Sequence, residues 1–246
     1  MPHSASVTDI DYYDRTVLAD WIAKVSREFA LKDETLIISL NLLDRCIGCP
    51  TQLLKHTDPL LLAIGCMRVA SKYEEILVNH IDDFLKLVQH SYSRKDIVSV
   101  EYAILECVDF RIVQPCHFTV TERIKCLLRI KEEDYQNAVV SQSATLLTKL
   151  GLVYGGSAVI HGDQFMLACA TGLLAAEKVY GANAQCLQKI CEVMQLDLSQ
   201  ISHMVGALLS LLKQSVRVQP ANPVRRTFLH RVGMGSGNSA EALLLK

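Results

Sequence analysis

The chain has 246 residues, enough for one large domain or two modest ones with a real core. Half of the residues are hydrophobic and the mean hydropathy is +0.21, so many helices belong to an interior, yet no run reaches the roughly 18 apolar residues needed to span a bilayer. The formal net charge of -1 lacks the global basic excess of a nucleic-acid-binding protein, leaving open only a local basic patch, and residues 1–15 carry no apolar stretch of a secretory signal.

Apolar residues recur every three to four positions almost throughout. Val17, Leu18, Trp21, Ile22, Val25 and Phe29 make 15–30 an amphipathic helix. Asp33 is placed to cap the next, with Leu36, Ile37, Leu40, Leu43 and Ile47 on its inner face and Gly48 and Pro50 at its end. Asp58 caps a third helix, and Pro59 suits its first turn. That helix, 60–75, is apolar around most of its circumference, with Arg68 as an interruption, and belongs in the middle of a bundle. A short helix follows at 81–88, and Ser93 opens a fifth carrying Ile97, Val98, Ala103, Ile104 and Val108. Val113-Gln114-Pro115 reads as a linker, because proline disfavours helix in the residue before it.

The pattern then returns, with helices expected at 117–128, 133–150, 165–179, 184–193 and 198–216, and a break at Gly151, Gly155 and Gly156. The third of these is again apolar nearly all round. The reading is all-α: two tandem five-helix bundles, each around a buried central third helix, with a duplicated-domain period of about 100 residues rather than a solenoid repeat. The expected organisation is an N-terminal segment 1–14, a first domain 15–112, a second domain 113–217, and a tail 218–246 that reads as disordered.

Nine cysteines are scattered along the chain, and Cys66, Cys107, Cys126, Cys169 and Cys191 fall inside apolar helical runs, as expected for free buried thiols in a reducing compartment. Cys46 and Cys49 form a C-x-x-C with no second pair or suitably spaced histidine. Gly155-Gly156-Ser157 and the glycines of 233–237 do not follow a strand, and His161 and Asp163 have no evident nucleophile. No catalytic residue, metal site or cofactor is therefore expected.

Four ordered segments carry a resemblance. Arg15-Thr-Val-Leu-Ala-Asp-Trp, Asn41-Leu-Leu-Asp-Arg-Cys, Val69-Ala-Ser-Lys-Tyr-Glu-Glu-Ile and Val100-Glu-Tyr-Ala-Ile-Leu-Glu resemble, at suitable spacing, the signature helices of the cyclin box. The match covers 15–109 specifically, 118–212 resembles the second cyclin fold by pattern alone, and the style is closest to mitotic A/B-type cyclins. The resemblance implies a non-catalytic regulatory subunit that binds and activates a cyclin-dependent Ser/Thr protein kinase in cell-cycle control, in the nucleus and/or cytoplasm, with no membrane or nucleic-acid contact. The alternative is a cyclin-fold transcription-related or scaffold protein without kinase activation.

On that resemblance Lys72 and Glu101 face the kinase and bond backbone groups near its mobile αC helix, with Tyr73, Glu74, Glu75 and Ile76 along the same surface. The pair Lys72→Ala with Glu101→Ala is then expected to fold normally and fail to activate. Arg15 and Asp44 are implied to form an internal buried ion pair. Leu18, Trp21 and Leu61 match positions at or beside a docking patch for Arg-x-Leu peptides in substrates or inhibitors. Asp14 and Leu60 depart from the family's usual Met and Gln there, which leaves docking open. The prolines usual after Glu75-Ile76 are replaced by Leu77, Val78 and Asn79, in a loop beside the expected interface. Arg226-Thr-Phe-Leu229 fits Arg-x-x-Leu, a pattern so short that chance is the better explanation, and Lys125, Arg129 and Lys131 are too spread to form an import cluster.

Overall fold

The computed structural model describes residues 12–48, 54–112, 117–131, 135–154 and 164–217, which hold ten α-helices and no strand. The expected linker at 113–115, Cys49, the glycine run 155–157, His161, Asp163 and the tail 218–246 lie outside them, as does all but the end of the N-terminal segment. The chain divides into two compact units, residues 1–113 and 114–246.

The first unit holds α1 (Tyr12–Glu28), α2 (Asp33–Gly48), α3 (Pro59–Glu74), α4 (Ile81–Leu87) and α5 (Arg94–Cys107). The helix starts follow from local chemistry. Asp58 accepts from the backbone N–H of Leu60 at 2.8 Å and of Leu61 at 3.4 Å, with Pro59 at the first helical position. Ser93 and Asp96 close a capping box at the head of α5. Asp33, expected as a cap, is instead the first helical residue: the Lys32 carbonyl accepts from Leu36 N–H, and the Asp33 charge lies in the first turn, against the positive end of the helix dipole.

α3 is the axis of this unit, with every residue from Leu62 to Ser71 buried. Its crossing with α5 is close because Gly65 lacks a side chain. A Cβ there would stand 2.7 Å from Ile104 Cδ1 and 2.8 Å from Val100 Cγ1. Phe84 of α4 packs edge-on against Phe29 with ring centroids 5.0 Å apart, and the Arg68 guanidinium lies over its ring at 5.6 Å. Arg45 of α2 donates to the carbonyls of Arg111 and Val108, satisfying backbone acceptors where α5 ends. Cys46 sits among Cys107 and Cys66. The Cys107 hydrogen bond draws its thiol down, but the Cys66 bond and burial outweigh this and push it well above the ordinary thiol range. Such a thiol stays protonated and packs as a small hydrophobe.

The second unit holds α6 (His117–Leu127), α7 (Tyr135–Tyr154), α8 (Gln164–Ala175), α9 (Ala184–Val193) and α10 (Leu198–Arg217). α7 runs through Gly151, where a break was expected, because Leu150, Leu152 and Val153 are all buried around it. The helix expected over 165–179 changes into a π turn at Ala176–Tyr180, which ends on the left-handed Gly181. Cys126, expected in the interior, is exposed on α6. In α8 every residue from Leu167 to Ala175 is buried, and Gly172 faces Ile124 of α6 as Gly65 faces Ile104. Lys125, almost wholly buried, is satisfied by Asn137 Oδ1, Ser141 Oγ and Glu122.

Candidate functional site

The continuous burial of α3 stops at Ser71, and the next residue, Lys72, is the first to reach solvent. Its side chain is 49% exposed, and its Nζ donates to Glu101 Oε2 of α5 at 2.6 Å. Glu101 is itself buried. Its other oxygen, Oε1, accepts from Arg68 Nε at 2.5 Å, one helical turn before Lys72. A buried carboxylate thus bridges two cations from one helix face, and the group carries one net positive charge, concentrated at the exposed ammonium. Only one of the three ammonium donors has an acceptor among the described residues, so two remain for an outside acceptor.

The segment after α3 is tied down at both ends. Glu75 Oε1 accepts from the Lys32 backbone N–H at 2.8 Å and from the Thr35 hydroxyl at 2.5 Å, while Lys32 Nζ donates to the Glu74 carbonyl at 3.0 Å and to Glu74 Oε1 at 3.3 Å. At the far end Arg68 Nη1 donates to the Asn79 carbonyl at 3.3 Å. Between these anchors Ile76 is 90% exposed and Leu77 87%. Tyr73 on α3 and the pair Val98 and Tyr102, one turn apart on α5 and flanking Glu101, add exposed apolar surface.

Lys72, Tyr73 and Ile76, three of the residues singled out from sequence, present exposed side chains. Glu74 and Glu75 do not share that outward aspect, because their carboxylates turn onto Lys32 and Thr35. Glu101 meets Lys72 as a buried anchor with both oxygens occupied, rather than as an open acceptor. Arg15 and Asp44 form a two-pronged ion pair at 2.8 and 2.9 Å, with side chains only 3% and 7% exposed. Of the three docking-patch positions, Leu18 is buried in the core, while Trp21 and Leu61 are half-buried; Asp14 is exposed and Leu60 half-buried.

Arg68 was not recognised as a site residue from the sequence. Its signal is a lone cation inside an otherwise apolar helix, four positions before a second cation, which requires a buried counter-ion. Among the described residues no group of three or more His, Cys, Asp or Glu side chains could hold a metal ion, and no helix is long and apolar enough to cross a membrane.

Residues 2–113 match the family model described as cyclin, N-terminal domain. Cyclin-B1-4 of Arabidopsis thaliana is 30% identical over 184 residues, covering 75% of this chain and 43% of that protein. Cyclin-A2-1 of the same plant is 35% identical over 115 residues, covering 47% of this chain and 26% of that one. The chain spans less than half the length of these curated relatives. A viral cyclin from herpesvirus saimiri superposes with a TM-score of 0.66 at 16% identity, covering 87% of this chain and 88% of that one, and so shares the fold.

Proposed function

Because the chain belongs to the cyclin family, we propose that it is the regulatory subunit of a cyclin-dependent Ser/Thr protein kinase, which it binds and activates through the surface around Lys72. One observation carries this reading: a half-exposed ammonium with two unused donors, held in place by a buried carboxylate, in a field of exposed aromatic and aliphatic side chains.

A kinase without its partner keeps the αC helix outward, so its catalytic Lys–Glu pair and metal site are incomplete. A protein that binds only the helix-in state shifts the balance by its differential affinity for that state. Lys72 supplies donors to main-chain carbonyls that the inward helix leaves without partners, and each such charged hydrogen bond contributes about 1.5–3 kcal/mol. Glu101 and Arg68 fix the direction of the ammonium before the partner arrives, which lowers the ordering cost of association. The regulatory chain contributes no chemistry to phosphoryl transfer. Its unit 15–112 holds the activating surface, 113–217 forms a second cyclin fold, and the complex acts in cell-cycle control.

Reconstitution with purified cyclin-dependent kinases tests the reading. The wild-type chain raises the phosphoryl-transfer rate of at least one of them, and Lys72→Ala, folded normally, loses tenfold or more in affinity or activation. Full activity of Lys72→Ala, or no kinase bound by the wild-type chain, overturns it.

A further inference from the structure

The second unit carries an open apolar groove of about 480 Å³, set between α9 and α10 over α8. Leu198, Ile201, Val205 and Leu209 recur every three to four positions along α10 and form one wall, about 16 Å long. Leu187 of α9 stands on the other side, and Leu174 of α8 is buried at the base. Leu198 is 47% exposed and Leu187, Val205 and Leu209 are half-buried, so the rim leaves apolar area in contact with water. Glu177 is the one charged residue among the described residues that line the groove. The Lys178 ammonium stands 3.9 Å from its carboxylate, at the limit of an ion pair, which leaves room for a second cation.

Residues 218–246 follow α10 and lie outside the described residues. Their densest apolar run is Ala240, Ala242, Leu243, Leu244 and Leu245, with Lys246 next to it. Ala240, Leu243 and Leu244 stand at i, i+3 and i+4, the spacing with which a helical turn lays an apolar face into a groove. We propose that residues 240–245 occupy the groove of their own chain, with Leu243 and Leu244 against the α10 wall and Lys246 at the Glu177 rim. The reach fits. The groove begins and ends about 12 and 28 Å back along α10 from Arg217, at Leu209 and Leu198. A random-coil chain as long as 218–239 has a root-mean-square span of about 23–28 Å. A tether whose span matches the distance holds its end at an effective concentration on the order of 1 mM, far above that of a second copy at micromolar protein. The attached segment therefore wins the groove, and this holds whether or not the chain binds a kinase.

A synthetic peptide of residues 238–246 tests the proposal by calorimetric titration into two full-length chains, the wild type and Leu243→Ser with Leu244→Ser. With a dissociation constant on the order of 100 µM for the vacated groove, the tethered segment makes the wild type bind the peptide about tenfold more weakly than the variant. In the variant, amide hydrogens of α9 and α10 exchange faster while thermal unfolding stays cooperative. Phe228→Ser with Leu229→Ser, which alters the other apolar pair beyond Arg217, behaves as wild type. Adding Leu198→Ser, at the exposed rim, to the Leu243, Leu244 variant weakens peptide binding by tenfold or more. Equal affinity for wild type and variant, no binding to either, or binding indifferent to Leu198 overturns the proposal. So does a groove freed by the Phe228, Leu229 variant. A wild-type dimer that dissociates in the Leu243, Leu244 variant assigns the segment to a second copy and overturns it as well.

Discussion

Removing the Glu101 carboxylate strands Arg68, while removing the Lys72 ammonium strands nothing, so the two substitutions should differ sharply in stability. Arg68 and Glu101 each expose 8% of their side chains, and neither has room to rehydrate. Taking one partner from a buried pair leaves an uncompensated charge and costs about 3–5 kcal/mol. Lys72 is half exposed, so its bond to Glu101 is screened by solvent, and its loss costs about 0–1 kcal/mol. Glu101 keeps Arg68 in that variant. The expectation that the Lys72→Ala, Glu101→Ala pair folds normally therefore gives way: only Lys72→Ala is a clean probe of function. Thermal unfolding of the full chain separates the cases. At about 2–4 °C per kcal/mol for a chain of this size, Glu101→Ala lowers Tm by roughly 6–20 °C and Lys72→Ala by no more than about 4 °C. Arg68→Met combined with Glu101→Leu should recover most of the loss, because an apolar pair of similar volume needs no counter-ion. Equal destabilisation by the Lys72 and Glu101 substitutions, or a fully stable Glu101→Ala, would falsify the assignment of Glu101 as a buried anchor.

Asp44→Ala leaves Arg15 buried without its carboxylate and should destabilise by about 3–5 kcal/mol in urea titration, with kinase binding lost only in proportion to unfolding. Gly65→Ala forces a Cβ against Ile104 and Val100 and should cost about 1–3 kcal/mol, whereas Gly206→Ala, with open space around it, should gain about 0.5–1 kcal/mol from helix propensity. Both are read from shifts in the same denaturation midpoint. Tyr92 donates to Asp58 at 2.8 Å, and burial, followed by that bond and the Asp58 charge, raises its phenol above the ordinary value. The folded state holds this proton more tightly than the unfolded state, so the contribution is complete below the unfolded value of about 10 and fades as pH rises through the higher folded value. Tyr92→Phe should flatten the fall in Tm above pH 10 and leave the neutral range unaffected by titration.

Short-range chemistry was legible in the sequence. Asp58-Pro59 and Ser93-x-x-Asp96 fix helix starts within four residues, so their positions could be read directly. Helix ends were harder, because Ala30, Asp109, Arg129 and Gln195 take left-handed backbone without being glycine and carry no stop signal. Gly151 misled in the opposite direction: its propensity cost of about 1 kcal/mol is outweighed by burial of the leucines and valine around it. At the site, Lys72 and Glu101 could be paired from their motifs. The inward turn of Glu74 and Glu75 could not, since Lys32 and Thr35 lie about forty positions upstream and only packing of the bundle brings them close. The role of Arg68 is likewise tertiary, because its partner belongs to another helix.

The tie between Lys32, Thr35 and the last turn of α3 gives the turn between α1 and α2 influence over a surface it does not line. A change at Thr35, whose side chain is wholly enclosed, would reach a partner only by loosening the strut under Ile76. Under the proposed function, a residue that touches no partner thus still sets how the partner-facing segment is held.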